Sequence, residues 1–123
     1  MPDEAWIEGD DTARWRSESG HTGDASGSSL LEVDPGHRLP RHTDSEEEVV
    51  VVVAGEAEVD VGGEARRVGA GEVALVPRDV PHEVRSVGRD TLRFVAVYAG
   101  TDVVTRYEDE VQPDGSRERR PLG

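Results

Sequence analysis

The chain has no cysteine and no lysine among its 123 residues, and all 14 of its basic residues are arginine. The lack of cysteine excludes thiolate catalysis, cysteine-type zinc sites and thiol redox switches, and it fits a reducing compartment. The first residues include neither a basic nor an apolar segment, and no stretch approaches the roughly 18 apolar residues of a membrane-spanning helix. We therefore expect a soluble, cytoplasmic protein with a single domain.

Positive charge is scarce as well. The formal net charge is -13 at pH 7, whereas binding to nucleic acid or to an anionic membrane requires basic patches that neutralise phosphates. We expect neither kind of partner. A small molecule is the predicted ligand or substrate.

Helical periodicity is also lacking. Glycine and proline recur at short intervals, and the apolar residues either alternate with polar ones or form short β-branched runs, which indicates an all-β chain. In Glu56–Val61 the odd positions are apolar and the even ones acidic, and Gly62 and Gly63 then supply a hairpin turn. The eight predicted strands span residues 12–17, 28–33, 48–53, 56–61, 64–68, 72–76, 82–87 and 91–98. Eight such strands predict a sandwich or a barrel.

The pattern divides the chain into three parts. Residues 1–27 form an arm and a loop that contain both tryptophans, Trp6 and Trp15, and we expect them to pack on the barrel or on a partner subunit. Residues 28–103 form the barrel. Residues 104–123 are polar and charged without periodicity, which indicates either a mobile tail or a loosely attached strand extension.

Two blocks centred on histidine carry the predicted chemistry. The first contains Gly36, His42, Asp44, Glu48 and Gly55, and the second contains Gly71, Pro77 and His82. Because residues two apart on a strand share a face, His42 and Asp44 can point into the barrel together. Neutral imidazole suits Zn, Cu, Fe and Ni, while carboxylate suits harder ions such as Mn. The two blocks therefore predict a site for a divalent metal ion.

These blocks resemble the two motifs of the cupin superfamily, in particular of the small single-domain cupins. The resemblance covers roughly residues 28–99, with three departures: Asp44 stands where the first motif has a second histidine, Asp79 where the second has glycine, and Ser86 where it has asparagine. It implies a double-stranded β-helix, the all-β jelly-roll barrel in which two sheets pack face to face. It also implies a homodimer.

Carried over position by position, the resemblance implies that the metal ligands are His42, Asp44, Glu48 and His82. The ion would be Fe, Mn, Zn or Ni. If all four residues bind it, the formal charge of ion plus ligands is about zero, which weakens the Lewis acidity of the ion. If Asp44 turns away, the other three leave a two-histidine, one-carboxylate face with open positions, as in non-haem Fe(II) oxygenases.

Other polar residues of the two blocks have less specific interpretations. His21 and His37 are expected at the surface. Ser86 should face the interior, either as a hydrogen-bond donor behind the ligands or as a space-filling residue. Arg38, Arg41 and Arg93 are candidates for binding a substrate carboxylate.

Cupins perform several functions on one fold, so the function has to be argued from the site. We expect a metal-dependent enzyme that acts on a small oxygen-bearing molecule, of dioxygenase, isomerase or decarboxylase type. One alternative is a non-catalytic small-molecule-binding or regulatory cupin whose metal is structural or anchors the ligand. Another is a metal-stabilised barrel that has lost its activity. The run of valines at 49–53 is apolar on both faces and predicts a strand covered on both sides, within a sandwich or at a subunit interface.

Overall fold

The computed structural model describes residues 6–9, 13–18 and 20–123. Over these residues no helix is long and apolar enough to cross a membrane. Thirteen strands, numbered in chain order, make up the regular structure of the described residues: β1 (Ile7–Glu8), β2 (Arg14–Ser17), β3 (His21–Thr22), β4 (Gly27–Val33), β5 (Arg38–Asp44), β6 (Glu48–Ala54), β7 (Glu56–Val61), β8 (Glu64–Gly69), β9 (Val73–Val76), β10 (His82–Ser86), β11 (Leu92–Tyr98), β12 (Thr105–Val111) and β13 (Ser116–Arg119).

The strands form two antiparallel sheets. The first has the order β1-β2-β4-β11-β6-β9, with β3 also paired to β4, and the second has the order β13-β12-β5-β10-β7-β8. From β4 to β7 and again from β9 to β12, consecutive strands alternate between the two sheets, which is the chain path of a jelly roll. The predicted fold class, an all-β double-stranded β-helix, is confirmed.

The core lies between the two sheets and follows the predicted alternation. In β7, Ala57 and Val59 are buried while Glu56 and Glu58 are not. The turn into β8 is made by Gly62 and Gly63, both with positive φ, a conformation that glycine adopts without a Cβ penalty. The aliphatic side chains of this core are less than a tenth exposed, so they shield the interior around the site from bulk solvent.

The eight predicted strands correspond to β2, β4 and β6 to β11, with ends that differ by one or two residues. The first predicted strand begins at Thr12, which lies outside the described residues. Strands β1 and β3 were not predicted, and β5 was expected only as an extended segment around His42. Strands β12 and β13 correspond to the strand extension that was one of two alternatives for residues 104–123: β12 pairs with β5, and β13 pairs with β12.

Part of the N-terminal arm packs on the jelly roll. Trp15 is buried, and its ring centroid lies 5.4 Å from that of Tyr107 in β12. Trp6 lies under the guanidinium groups of Arg14 and Arg16, each 4.6 Å from the centre of its ring. Trp15 therefore contributes to the core, while Trp6 makes cation–π contacts with neighbouring side chains.

Candidate metal centre

The two motif histidines lie side by side in the second sheet. His42 in β5 is paired with His82 in β10 in the antiparallel register, and their ring centroids are 4.1 Å apart. Both side chains are buried. Two imidazoles from neighbouring strands are thus placed together by backbone pairing.

A bulge in β5 determines where His42 points. Three residue steps along β5, from Leu39 to His42, oppose two steps along β10, from Val84 to His82. The extra residue restores the inward direction, so that Leu39 and His42 are both buried although they are three apart. Pro40 lies within the bulge, where a residue without a backbone N–H is tolerated.

Backbone carbonyls fix both imidazole rings in the same way. The Nδ1 atom of His42 donates to the carbonyl of Pro40 at 2.7 Å, and that of His82 donates to the carbonyl of Val80 at 2.9 Å. With a proton held on Nδ1, each ring directs its Nε2 atom into the interior, and in the neutral form of the ring the lone pair of that atom can bind a metal. Metal-bound histidines are commonly oriented by this kind of hydrogen bond.

Two carboxylates meet these Nε2 atoms. Asp44 Oδ2 lies 3.5 Å from Nε2 of His42 and 3.2 Å from Nε2 of His82. Glu48 Oε1 lies 3.2 Å from Nε2 of His82. The second oxygen of Asp44 accepts a hydrogen bond of 2.5 Å from the hydroxyl of Thr105 in β12. The Asp44 carboxylate is therefore held with one oxygen facing the histidines.

The donor atoms of this cluster fit a metal ion. Three of them are buried without a hydrogen-bond partner among the described residues: Asp44 Oδ2, Glu48 Oε1 and His82 Nε2. Unpartnered buried polar atoms are costly, and here they converge instead of being scattered. The ligating atoms of His42, Asp44 and His82 lie within 4.8 Å of one another, a span that one ion can bridge. Imidazole and carboxylate together suit a first-row divalent ion.

Burial and charge shift the pKa values of the cluster. Burial raises the pKa of Glu48 to about 7, and the negative charge of Asp44 adds to the rise against the attraction of His82. Burial favours the neutral ring of His82, but contacts with Asp44 and Glu48 outweigh it and raise the pKa of His82 to about 10. Burial opposes ionisation of Asp44 too, yet His42 and His82 hold its pKa well below its usual range. In the absence of an ion, a proton on His82 balances the carboxylates, and a metal would replace that proton.

A cavity of about 30 Å³ lies beside the cluster, which is room for about one water molecule or an ion. Its lining includes His42 and Glu48 of the cluster, the rings of Tyr98 and Tyr107, and Arg119 with Pro121 from the C-terminal end of the chain. Burial raises the pKa of both tyrosines well above the usual range. Their hydroxyl groups therefore stay protonated and able to donate hydrogen bonds at neutral pH.

Among the described residues the structure groups the ligand atoms of His42, Asp44 and His82, and it places Glu48 beside His82 but outside this group. The role of all four residues as metal ligands stays a prediction. His21 is exposed, and half-buried His37 lies at the opposite end of β5 from Asp44. Ser86 is buried as predicted, but its hydroxyl has no hydrogen-bond partner among the described residues and does not support the ligands.

The three arginines that are candidates for binding a substrate carboxylate form ion pairs away from the cavity. Arg38 contacts Glu83, Arg41 contacts Asp60 and Arg93 contacts Glu32. None of the three is in the lining of the cavity. Two residues of the site, Thr105 and Arg119, were not predicted, because the predicted barrel ended at residue 103. The alternation of apolar and charged residues around Thr105 and Tyr107 was the available signal of a strand there.

Comparison with known proteins agrees with this geometry. The family model described as the cupin domain matches residues 29–98, which is more than half of the chain. None of the curated proteins shows a significant match.

Solved structures with the same fold include proteins to which different functions are given. A conserved Streptococcus pyogenes protein of unknown function is 22 % identical, with a TM-score of 0.62 over 70 % of this chain and 74 % of its own. A candidate sugar phosphate isomerase from Acidithiobacillus ferrooxidans is 20 % identical, with a TM-score of 0.61 over 89 % and 76 % of the two chains. An oxalate oxidase is 25 % identical, with a TM-score of 0.59 over 62 % of this chain, but the match spans only 42 % of the oxidase.

Proposed function

Because the chain belongs to the cupin domain family, we propose that it is a metal-dependent cupin in which His42, Asp44, Glu48 and His82 hold one divalent ion. The observation that supports this most strongly is the convergence of buried, unpartnered donor atoms from β5, β6 and β10. Glu48 is the fourth member because its Oε1 atom approaches His82 as closely as Asp44 does. Iron, manganese, zinc and nickel all accept this mixture of nitrogen and oxygen donors.

The proposed reaction acts on a small oxygen-bearing molecule and is of dioxygenase, isomerase or decarboxylase type. An ion bound here would polarise substrate oxygen atoms and, as iron or manganese, would also support redox chemistry. The chain's own residues would orient the ligands through Pro40, Val80 and Thr105, and would donate hydrogen bonds from the two buried tyrosines. The likeness to an oxalate oxidase supports the oxidative type, and that to a candidate sugar phosphate isomerase supports isomerisation.

A non-catalytic binding module is the alternative, and the small size of the cavity favours it. A volume of about 30 Å³ holds an ion or a water but no organic substrate. In that case the ion would anchor a ligand or stabilise the fold.

The test of the metal site is elemental analysis of protein purified without an affinity tag. We expect about one ion per chain in the unmodified protein and in the control His21→Ala, which alters an exposed histidine, and loss of the ion in His82→Ala. Asp44→Asn, which changes charge with little change in shape, provides a second variant should His82→Ala fold poorly. Equal metal content in all four proteins would contradict the proposed metal site.

Activity assays then separate the enzyme from the binding module. For the iron or manganese form, oxygen uptake is measured with a panel of small oxygen-bearing acids, keto acids and phenols. For the zinc or nickel form, isomerisation or decarboxylation is followed instead. Turnover that is lost in His82→Ala supports the enzyme, and silence across the panel supports the binding module.

We also propose a homodimer formed through the outer face of the first sheet. Apolar residues occupy neighbouring outward positions of β11, β6 and β9, namely Val95, Val97, Val49, Val51, Val53, Val73 and Leu75. Four of them are at least 37 % exposed. A contiguous apolar patch of this kind is typical of an interaction surface, and a second copy of the chain would cover it symmetrically.

A further inference from the structure

Arg119 lies next to the metal cluster through the pairing of three strands. In the second sheet Asp44 of β5 is opposite Thr105 of β12, and Thr105 is opposite Arg119 of β13. Directly paired residues project on the same face of a sheet. With about 4.8 Å between neighbouring strands, the backbones of Asp44 and Arg119 are about 10 Å apart, with Thr105 between them.

The side chain of Arg119 reaches the cavity beside the cluster. It lines this cavity together with His42 and Glu48. Its positive charge also acts on the hydroxyl of Tyr107, where it partly offsets the rise in pKa that burial causes. Among the described residues that line the cavity, Arg119 is the one with a permanent positive charge.

The charge balance of the proposed metal site indicates a role for the guanidinium group of Arg119. A divalent ion would neutralise the carboxylates of Asp44 and Glu48, so the ion and its ligands together would attract an anion only weakly. The chain as a whole, with a net charge of -13, repels anions. Arg119 would then supply positive charge beside the cluster, in a partly buried site where charge interactions are stronger than in water.

We propose that Arg119 binds the carboxylate of a small carboxylic acid while another oxygen atom of the same molecule reaches the metal ion. The inference rests on the proposed metal function and names its substrate class. The planar guanidinium fork matches the two oxygens of a carboxylate. Two-carbon acids that carry a second oxygen function, such as glycolate and oxalate, are the smallest molecules that offer both groups.

Entry of such an acid requires the C-terminal residues to move, because the cavity holds only about 30 Å³. Pro121 lines the cavity next to Arg119, and Leu122 packs partly buried against the core. A Cβ atom on Gly20 would overlap Leu122, so this glycine leaves the space in which Leu122 packs. Residues 119–122 thus form a cover that carries the carboxylate-binding group.

The test is calorimetric titration of the manganese-loaded protein with glycolate, oxalate and the neutral amide glycolamide. We expect Arg119→Gln to weaken glycolate and oxalate binding about tenfold or more, and Arg119→Lys to weaken it less, because lysine keeps the charge and loses the fork. The matched control is Arg120→Gln, which alters the neighbouring arginine that contacts Asp102 and should bind both acids as the unmodified protein does. Glycolamide binding should be the same in all four proteins, whereas a general structural defect would weaken it together with the acids.

Three results would overturn the inference. In the first, Arg119→Gln binds glycolate within about twofold of the unmodified protein. In the second, the manganese-loaded protein binds neither acid. In both of these the metal site and the proposed function stand. In the third, no iron, manganese, zinc or nickel ion is found in the protein after loading with each metal, which overturns the proposed function and the inference with it.

Discussion

At the scale of single residues, Asp79 and Asp44 explain how the chain departs from the cupin motifs without losing their geometry. Asp79 stands where the motif has glycine and is the described non-glycine residue with positive φ, at 61°. Aspartate enters this left-handed region more readily than most residues. Its backbone amide donates to the carbonyl of Asp44 at 2.9 Å. Asp44, in the place of a histidine, directs a carboxylate oxygen at both imidazoles.

The hydroxyl of Thr105 holds the carboxylate of Asp44 in place. We expect Thr105→Val, which keeps the size of the side chain, to weaken metal binding about tenfold, because Asp44 loses the hydrogen bond that orients it. Equilibrium titration with a competing chelator measures the change.

The control for this prediction is Thr43→Val. Thr43 precedes Asp44 in β5 and alternates to the opposite face of the sheet, so the same change there should leave the affinity intact. Equal affinity in Thr105→Val and the unmodified protein would show that Asp44 needs no support from β12.

At the scale of elements, the pairing of β5 with β10 places His82 between two carboxylates, and the pH dependence of stability follows from this. The pKa of His82 is raised to about 10, so its contribution to the free energy of unfolding is complete below its ordinary value of 6.5 and is lost as pH rises through 10. The pKa of Glu48 is raised from 4.5 to about 7, and its contribution is lost as pH rises through 7. The lowered pKa of Asp44 gives the opposite sign, because its contribution is complete above 3.8 and is lost as pH falls further.

The predicted consequence concerns the metal-free protein and its response to metal. The contribution of this cluster to the free energy of unfolding should fall as pH rises from about 6 to about 8. Because a metal competes with protons for the same ligand atoms, it should bind more tightly at the higher pH. The rise in Tm on adding excess manganese should therefore be larger at about pH 8 than at about pH 6, as scanning calorimetry would measure. An increment that is the same at both pH values would contradict the protonation of His82 and Glu48 in the metal-free state.

The elements also show which parts of the molecule were predictable. Strands with alternating or valine-rich sequences, such as β6 and β7, were predicted because their own side chains form the core. Strands β12 and β13 were left as one of two alternatives, because their charged sequences have no such pattern over most of their length and their pairing depends on β5 and β12. The four candidate ligands came from motif spacing. Thr105 and Arg119 did not, since neither belongs to the motif and both reach the site only through strand pairing.

At the scale of the whole molecule, the apolar outer face of the first sheet sets the expected oligomeric state. Leu75 lies in the edge strand β9 and is more than half exposed on this face. We expect Leu75→Glu to convert the proposed dimer to a monomer, because a charge buried there without a partner would be costly. Sedimentation equilibrium measures the mass of the particle.

The control for the dimer is Thr101→Glu, which adds the same charge at an exposed position outside the strands. It should leave the mass unchanged. A monomer already in the unmodified protein would contradict the proposal, and so would a dimer that persists in Leu75→Glu with an intact fold.

The burial of Trp15 gives the protein an internal optical reporter. Its indole contacts Tyr107, the ring of Tyr107 lies 5.5 Å from that of His42, and His42 lies against His82. A line of aromatic rings thus leads from the indole to the proposed ligands, whereas the ring of Trp6 contacts the guanidinium groups of Arg14 and Arg16. A paramagnetic ion bound at the cluster should quench the fluorescence of Trp15. The intensity of that fluorescence therefore reports whether the metal site is occupied.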